Sequence, residues 1–348
     1  MKRPLNFSGV GKATLSQKEA AINEFKGNLF EFLVGSWLSR KYLRESQFLK
    51  GFGGPLRSQL VTYEKYLREY DPELVKRLPI LARETAEESF SVLPKNIHQI
   101  FVVGKCPEFK RRDQLKEADL LALTDDGKEY LLSLKLCKTR AFVNTKSGGV
   151  RSFIGKYFSE FQEALNLQQK VSQFVEQSFL EMSYQLYDKV GLTFEGKFGD
   201  EWEEAGKSSL PGQLSKDDLV LVQGHYHRVI QEFYKAFIVF FKKDKEKFKK
   251  ALFPMLGMGL ENIIQITCYH GEKCLKGEKE RYQLKEVDIV TNQKISQELE
   301  NITIEKLKKG LSSFEIRLKT FVLQIRVKPM NIFTVPAMKV NCSVKKMN

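Results

Sequence analysis

Cysteine and long apolar segments are both scarce in this chain. Its 348 residues include five cysteines, an odd and scattered set, which argues against a disulfide framework and favours a reducing cytoplasm. The longest apolar stretch, residues 236–241, is far shorter than the ~20 residues of a membrane-spanning helix. The opening residues MKRPLNFSGVGKATLSQ contain no apolar h-region, so we expect no signal peptide. We therefore predict a cytoplasmic protein that has no membrane partner.

Acidic residues are outnumbered by basic ones. The chain has 43 Asp and Glu against 57 Lys and Arg, a net charge of +14. Spread positive charge favours a polyanionic partner, because phosphates release their counterions when cations bind them. Hydrophobic residues make up 42% of the chain, which is enough for a core and excludes a disordered or collagen-like chain. Nucleic acid is the favoured partner, and a merely basic soluble protein is the alternative.

The spacing of apolar residues predicts a chain of mixed α and β structure. Helices are predicted over residues 17–45, 56–69, 72–92, 151–188, 217–252 and 295–310. Strands are predicted over residues 97–103, 118–123, 129–137, 262–269 and 282–291, one or two more over residues 314–328, and further β-like sequence in the C-terminal tail. The basic stretch 138–150 is predicted to be a loop, and the glycine-containing stretch 191–216 is predicted to be an insertion or linker.

Two charged residues fall on neighbouring apolar strands. Asp119 lies in ADLLAL and Lys135 lies in EYLLSLKLC. The turn TDDG joins these strands, and its Asp-Gly pair is a strong hairpin signal. A hairpin at this turn brings residue 119 near residues 132–133, with Lys135 a residue or two beyond. Desolvating a charge costs on the order of several kcal/mol without a partner or metal, so we predict a half-buried acid within reach of the lysine. A structural ion pair or two solvent-facing side chains is the alternative.

This arrangement resembles the PD-(D/E)XK nuclease superfamily, which includes most Type II restriction endonucleases. That family has an acid on one strand, a short acid-x-Lys element on the next strand, and a preceding helix that carries a Glu. The resemblance assigns Asp119 to the first acid, Ser133 and Lys135 of SLK to the second element, and Glu31 of FKGNLFEFLVGSWLSR to the helix. It covers residues 20–175, in the order helix, strand, hairpin and amide-rich helix.

The sequence departs from the family pattern at two positions. Ser133 replaces the middle acid, and Ala118 replaces the conventional proline before the first acid. Some restriction enzymes with Ser-x-Lys recruit a Glu from the following helix, for which YFSEFQEALNLQQ offers Glu160 and Glu163. The resemblance thus implies a Mg²⁺ ion held by Asp119 and one of these two glutamates. A hard cation takes oxygen ligands and lowers the pKa of water, and the lysine would act at that water.

The resemblance implies a restriction-endonuclease-like core, a central mixed sheet flanked by helices, with a helical insertion and C-terminal strands. We expect the nuclease core in residues 1–190. Residues 191–348 are expected to serve DNA recognition and dimerisation and to contribute strand 262–269 to the core. The implied function is sequence-specific cleavage of double-stranded DNA in a bacterial cytoplasm by a homodimer. The alternatives are a non-catalytic nucleic-acid-binding protein with a nuclease-like fold and a nuclease of the resolvase or transposon-end type.

The basic segment KTRAFVNTKSGGVR follows directly after the strand that carries Lys135. A loop at this place would emerge beside the scissile phosphate, and cations in it would contact the DNA backbone. Asn144 could read a base edge. A solvated loop without contact to DNA is the alternative. The candidate phosphate contacts are Lys138, Arg140, Lys146 and Arg151.

Overall fold

The chain folds as a mixed α and β protein in the computed structural model, which describes residues 15–51, 54–103, 115, 118–271 and 281–347. The helices are α1 (Leu15–Lys41), α2 (Glu45–Lys50), α3 (Gly54–Tyr70), α4 (Pro72–Val92), α5 (Phe153–Tyr157), α6 (Ala164–Asp188), α7 (Asp200–Glu204), α8 (Lys216–Lys243), α9 (Lys245–Met255) and α10 (Asn292–Glu298). The strands are β1 (Ile97–Val102), β2 (Leu120–Thr124), β3 (Glu129–Lys138), β4 (Val143–Gly149), β5 (Ile263–His270), β6 (Leu284–Thr291), β7 (Thr303–Ile304), β8 (Ser313–Arg317), β9 (Phe321–Pro329) and β10 (Met338–Lys346). No helix in the described part of the chain combines the length and apolar character that crossing a membrane requires.

The chain divides into two compact units, and the division differs from the expected boundary at residue 190. The first unit contains residues up to Ala141 and the segment Leu260–Asn292, and the second contains Phe142–Gly259 and Gln293–Asn348. The reason is the pairing of β3 with β5, which is parallel. Parallel neighbours need a long crossover connection, and here the chain between them builds the helices of the second unit. The amide-rich helix α6 therefore belongs to the second unit.

The sheet of the first unit has the strand order β1-β2-β3-β5-β6. All its neighbouring pairs are antiparallel except β3 and β5. Alternate residues such as Leu132, Leu134 and Ile266 point to one face and join a core built with α1, α3 and α4. Helix α4 begins sharply because the Asp71 carboxylate accepts a hydrogen bond from the backbone N–H of Leu74 at 3.3 Å. Strand β5 is buried along its whole length, as a central strand of a covered sheet should be.

The sheet of the second unit has the order β4-β10-β9-β8-β7, with antiparallel neighbours throughout. Its strands alternate, so that residues such as Val340, Cys342 and Ile325 are buried on one face. Helix α8 covers this face, and the rings of Phe237 and Phe314 meet at 5.2 Å between their centroids. The opposite face carries polar side chains.

Three segments depart from the structure that their local sequence suggests. Residues 217–252 form two helices rather than one, because Asp244 ends α8 and its carboxylate caps the N–H groups of Glu246 and Lys247 at the start of α9. The expected loop at 138–150 contains β4, whose small polar residues pair with β10. The helix expected over 295–310 stops at Glu298, whose carboxylate binds the backbone N–H and hydroxyl of Thr320. In each case a specific hydrogen bond or pairing overrides local propensity.

Candidate active site

The Asp119 and Lys135 side chains meet at the start of the β2–β3 hairpin. The register pairs Leu120 with Leu132, and the backbone N–H of Asp119 donates to the carbonyl of Leu132 at 2.8 Å. Nζ of Lys135 then lies 3.3 Å from Oδ2 of Asp119. The hairpin prediction that placed residue 119 beside residues 132–133 is confirmed, and the carboxylate and the ammonium form an ion pair.

The carboxylate of Asp119 is held by the backbone of β3 as well as by the lysine. Its Oδ2 accepts a hydrogen bond from the N–H of Leu134 at 2.6 Å, while Nζ of Lys135 also donates to the carbonyl of Leu134 at 3.1 Å. The two side chains keep 22% and 27% of their surfaces exposed. Both groups are thus fixed in place and still accessible to a ligand.

The face of the sheet that carries this pair is polar beyond β3. Residues opposite one another in register point to the same face, and Ser133 pairs with Gln265 while Lys135 pairs with Thr267. Thr267 in turn pairs with Asp288 on β6. Ser133, Gln265, Thr267 and Asp288 are all buried, with between 2% and 6% of their surfaces exposed. One face of this sheet is an apolar core, and the other carries a buried polar row.

Sequence reasoning missed three members of this row: Gln265, Thr267 and Asp288. The signal was present, since NIIQITCY and EVDIV each carry polar side chains inside an apolar strand, as does the strand of Lys135. What the sequence did not show is that β5 adds to β3 in parallel and in this register. Only that pairing brings the three side chains onto the face of Asp119.

Tyr269 lies at the end of the same polar face. Burial raises the pKa of its phenol well above the usual range, and the nearby Cys137, Asp288 and Glu286 side chains raise it further. The phenol therefore stays protonated at neutral pH and can act only as a neutral hydrogen-bonding group. It adds a hydrogen-bond donor to this end of the sheet.

Glu31 lies in α1, where it is half-buried. The apolar residues of this helix, such as Val34 and Leu38, pack in the core that contains Leu132 and Leu134. That core is on the face of the sheet opposite to the polar row. Glu31 thus belongs to an element that packs on the other side of the sheet from Ser133 and Lys135.

Glu160 and Glu163 belong to the second unit. Glu160 is exposed in the segment between α5 and α6. The Glu163 carboxylate forms an ion pair with Nζ of Lys243 on α8, and this hydrogen bond holds the pKa of Glu163 below its usual range. One of the two glutamates that the resemblance offers as a metal ligand is therefore already engaged by a cation, because α8 carries Lys243 alongside it.

The donor set beside Lys135 consists of oxygen atoms. Asp119 supplies one carboxylate, and the register places the Ser133 hydroxyl next to it and the Gln265 amide one strand further along the sheet. Among the residues that the structure describes, no three His, Cys, Asp or Glu side chains gather in a metal-binding group. Mg²⁺ takes oxygen ligands and commonly binds through one or two carboxylates while keeping several waters. These residues fit such an ion, with Asp119 as the carboxylate ligand.

The five residues expected in a DNA-binding loop do not form a loop. Lys138 ends β3, and Arg140 has a positive φ of 65° in the turn that follows. Asn144 and Lys146 lie in β4, at the edge of the second sheet. Arg151 forms an ion pair with Glu176 on α6. The prediction of one basic loop is wrong, because β4 pairs with β10 and the unit boundary at Ala141 divides the five residues.

Comparisons of this chain with models of known protein families, with curated proteins and with solved structures find no match.

Proposed function

We propose that this chain is a Mg²⁺-dependent endonuclease that hydrolyses phosphodiester bonds in double-stranded DNA, as Type II restriction enzymes do. The observation that carries the proposal is the contact between Asp119 and Lys135, with 3.3 Å between Oδ2 and Nζ. A carboxylate and an ammonium that remain accessible on a strand hairpin are the two groups that the chemistry needs.

The rest of the first unit supports this assignment. The sheet is mixed, with a meander of β1, β2 and β3 followed by the parallel strand β5. The resemblance to the PD-(D/E)XK superfamily implies a mixed sheet flanked by helices, and here α1, α3 and α4 cover the apolar face of such a sheet. The net charge of +14 favours a polyanionic substrate.

The residues of the chain have distinct roles in the proposed reaction. The Leu134 N–H and the Lys135 ammonium both bind Oδ2 of Asp119, so we assign the other carboxylate oxygen to a metal ion. When bound, Mg²⁺ would polarise the phosphate and lower the pKa of a coordinated water. Lys135 would orient the attacking water and offset the negative charge that develops on the phosphate. The Ser133 hydroxyl would hold a water beside the carboxylate.

A homodimer follows from the symmetry of the substrate. The chain has one copy of the Asp119 and Lys135 pair, whereas a double-strand break needs two cuts. A C₂ dimer supplies two related active sites most simply. We therefore propose that two copies act together on a symmetric DNA site.

A second candidate function is non-catalytic binding of nucleic acid by a nuclease-like fold. The buried hydroxyl of Ser133 favours it, because the family pattern has a carboxylate there. The pair of Asp119 and Lys135 would then be a structural ion pair that also completes the hydrogen bonds of β3.

Cleavage of plasmid DNA in Mg²⁺ separates these functions. We expect discrete fragments from the wild-type chain and none from the Asp119→Asn or Lys135→Met variants, which should still bind DNA. Asp125→Asn and Lys128→Met are matched controls, since both residues lie exposed on the turn of the same hairpin. Full cleavage by Lys135→Met would contradict the assignment of the lysine. Binding without cleavage by the wild-type chain would favour the non-catalytic function.

A further inference from the structure

The outward face of the second sheet concentrates positive charge. The residues of β8, β9 and β10 that point away from α8 include five cations and one carboxylate, Glu315. Antiparallel sheets commonly leave one face in water, and a mixture of both charges is usual for a solvated surface. The excess of positive charge on this face therefore needs an explanation. The five cations are Arg317, Arg326, Lys328, Lys339 and Lys345.

Three of these cations lie together without a neutralising acid. Lys328 and Lys339 are directly opposite each other in the register of β9 and β10, which places their Cα atoms about 5 Å apart. Arg326 lies two residues before Lys328 on the same face, about 7 Å along the strand. Within the described residues, none of the three forms an ion pair, whereas Arg317 binds Glu305 at 3.1 Å.

The three neighbouring cations Arg326, Lys328 and Lys339 destabilise the sheet. Like charges directly opposite on neighbouring strands destabilise a sheet. Partial burial lowers the pKa of Lys328 below its usual range, and the charges of Lys339 and Arg326 lower it further. An anion on this face would relieve the repulsion, since it would bind all three cations at once.

The shape and chemistry of the face indicate the anion. The cations are spread along a pleated surface and separated by neutral hydrogen-bonding groups. Asn341 pairs with Arg326 and accepts a hydrogen bond from the hydroxyl of Ser147 at 2.9 Å, and Gln324 lies two residues from Arg326. A surface of this kind suits an extended ligand with regularly spaced charges, in which phosphates bind the cations.

We propose that the outward face of the second sheet binds the phosphate backbone of duplex DNA through Arg326, Lys328 and Lys339. The choice of duplex DNA as the polyanion rests on the proposed function, and the surface itself rests on the register and the charges. Asn144, which the sequence suggested as a base-reading residue, lies opposite Ser343 at the edge of this same sheet. This face thus carries Asn144, which the sequence prediction included, and three cations that the sequence prediction did not include.

The test is equilibrium binding of a fluorescent DNA duplex to the full chain, measured in EDTA between about 50 and 200 mM salt. The triple variant Arg326→Ala, Lys328→Ala and Lys339→Ala removes three phosphate contacts. We expect the negative slope of log affinity against log salt to become less steep by about 0.9 for each of the three lost contacts. We also expect the affinity to drop roughly tenfold or more. The matched control replaces Lys50, Lys65 and Lys76 with Ala. These are exposed helical residues of the first unit, and their loss changes the net charge equally.

Two further measurements distinguish a DNA-binding surface from residues that only stabilise the fold: the melting temperature of the triple variant, and DNA binding by variants that keep the positive charge. We expect the triple variant to unfold at the same temperature as the wild type or higher, because the repulsion is gone. Lys328→Arg with Lys339→Arg should bind DNA as the wild type does. An unchanged salt slope in the triple variant, or an equal loss in the control variant, would overturn the proposal. So would tighter binding to duplex RNA or single-stranded DNA than to duplex DNA.

The outcome is distinct from that of the cleavage experiment. If the wild type binds DNA through this face but does not cleave it in Mg²⁺, the surface stands and the endonuclease proposal fails. If Asp119→Asn abolishes cleavage while the triple variant binds normally, the endonuclease proposal stands and the surface fails. A wild-type chain that binds no duplex at the lowest salt contradicts the surface.

Discussion

The carboxylate of Asp119 accepts a hydrogen bond from the backbone N–H of Leu134 at 2.6 Å, at the point where β2 begins and β3 extends past it. The side chain therefore substitutes for the strand that would otherwise pair with Leu134. The same carboxylate oxygen binds Lys135. One residue thus has both a structural contact and a proposed catalytic role, and substitutions can separate the two.

Asp119→Asn and Asp119→Ala should differ in stability but not in activity. The amide oxygen of Asn can still accept from Leu134, whereas Ala leaves that N–H without its partner at a cost of about 1–3 kcal/mol. We expect urea denaturation to show a loss of this size for Ala and less for Asn. Both variants should lose cleavage. An Ala variant as stable as the wild type would contradict the structural contact.

Ser133→Asp should make the stability of the protein depend on Mg²⁺. Ser133 is 6% exposed, so a carboxylate there is desolvated beside Asp119 and destabilises the fold in EDTA. A bound cation would offset both charges, and ligand binding to the folded state raises the melting temperature. Thermal unfolding in EDTA and in Mg²⁺ measures the difference, with Ser133→Ala as the control. If the change in melting temperature between EDTA and Mg²⁺ is equal in the two variants, there is no metal at Asp119.

Ser133→Ala itself should leave most of the cleavage activity. The hydroxyl is assigned only to a water beside Asp119, so its loss removes a neutral hydrogen bond worth about 1 kcal/mol, or several-fold in rate. Initial rates on plasmid DNA check this expectation. A complete loss of cleavage would show that Ser133 has a larger role than the one assigned here.

Glu163→Gln should change cleavage little. Its carboxylate is engaged by Lys243 in the second unit, so its replacement breaks a surface ion pair rather than a metal site. Glu160→Gln, at an exposed position, should behave in the same way. We expect initial cleavage rates close to that of the wild type at saturating Mg²⁺. A strong loss in either variant, restored by higher Mg²⁺, would instead identify that glutamate as the recruited ligand that the resemblance implies.

His225 should make the second unit sensitive to acid. It is 2% exposed, and Nδ1 lies 2.9 Å from the hydroxyl of Ser178. Burial, helped by the charge of Arg228, lowers its pKa from 6.5 to about 4. The unfolded chain therefore binds more protons between these values, so stability is full above about pH 6.5 and falls as the pH drops towards 4, by roughly 3 kcal/mol in total.

Urea denaturation across this pH range measures the effect, and the matched variant is His225→Gln, which does not titrate. The variant should lose the part of the pH dependence that lies between pH 4 and 6.5. An equal dependence of the unfolding free energy on pH in both proteins would assign the acid sensitivity to other groups.

The sequence by itself determined the hairpin and the pairing of Asp119 with Lys135. Both depend on local information, since the turn TDDG joins two short apolar strands. The main helices of the first unit follow from local patterns as well. Their apolar residues recur at helical spacing, and α4 begins at Pro72, directly after its N-cap Asp71.

Tertiary structure alone decided which other residues share the face of that pair. Thr267 and Asp288 join it because β5 adds to β3 across the whole crossover. β4 is a strand because it pairs with a partner far along the chain, as the bond between Thr145 and Cys342, 197 positions apart, shows. Glu163 is engaged by a lysine 80 positions away. Local propensity carries no information on such pairings, since strand register and ion-pair partners are set by which surfaces pack together.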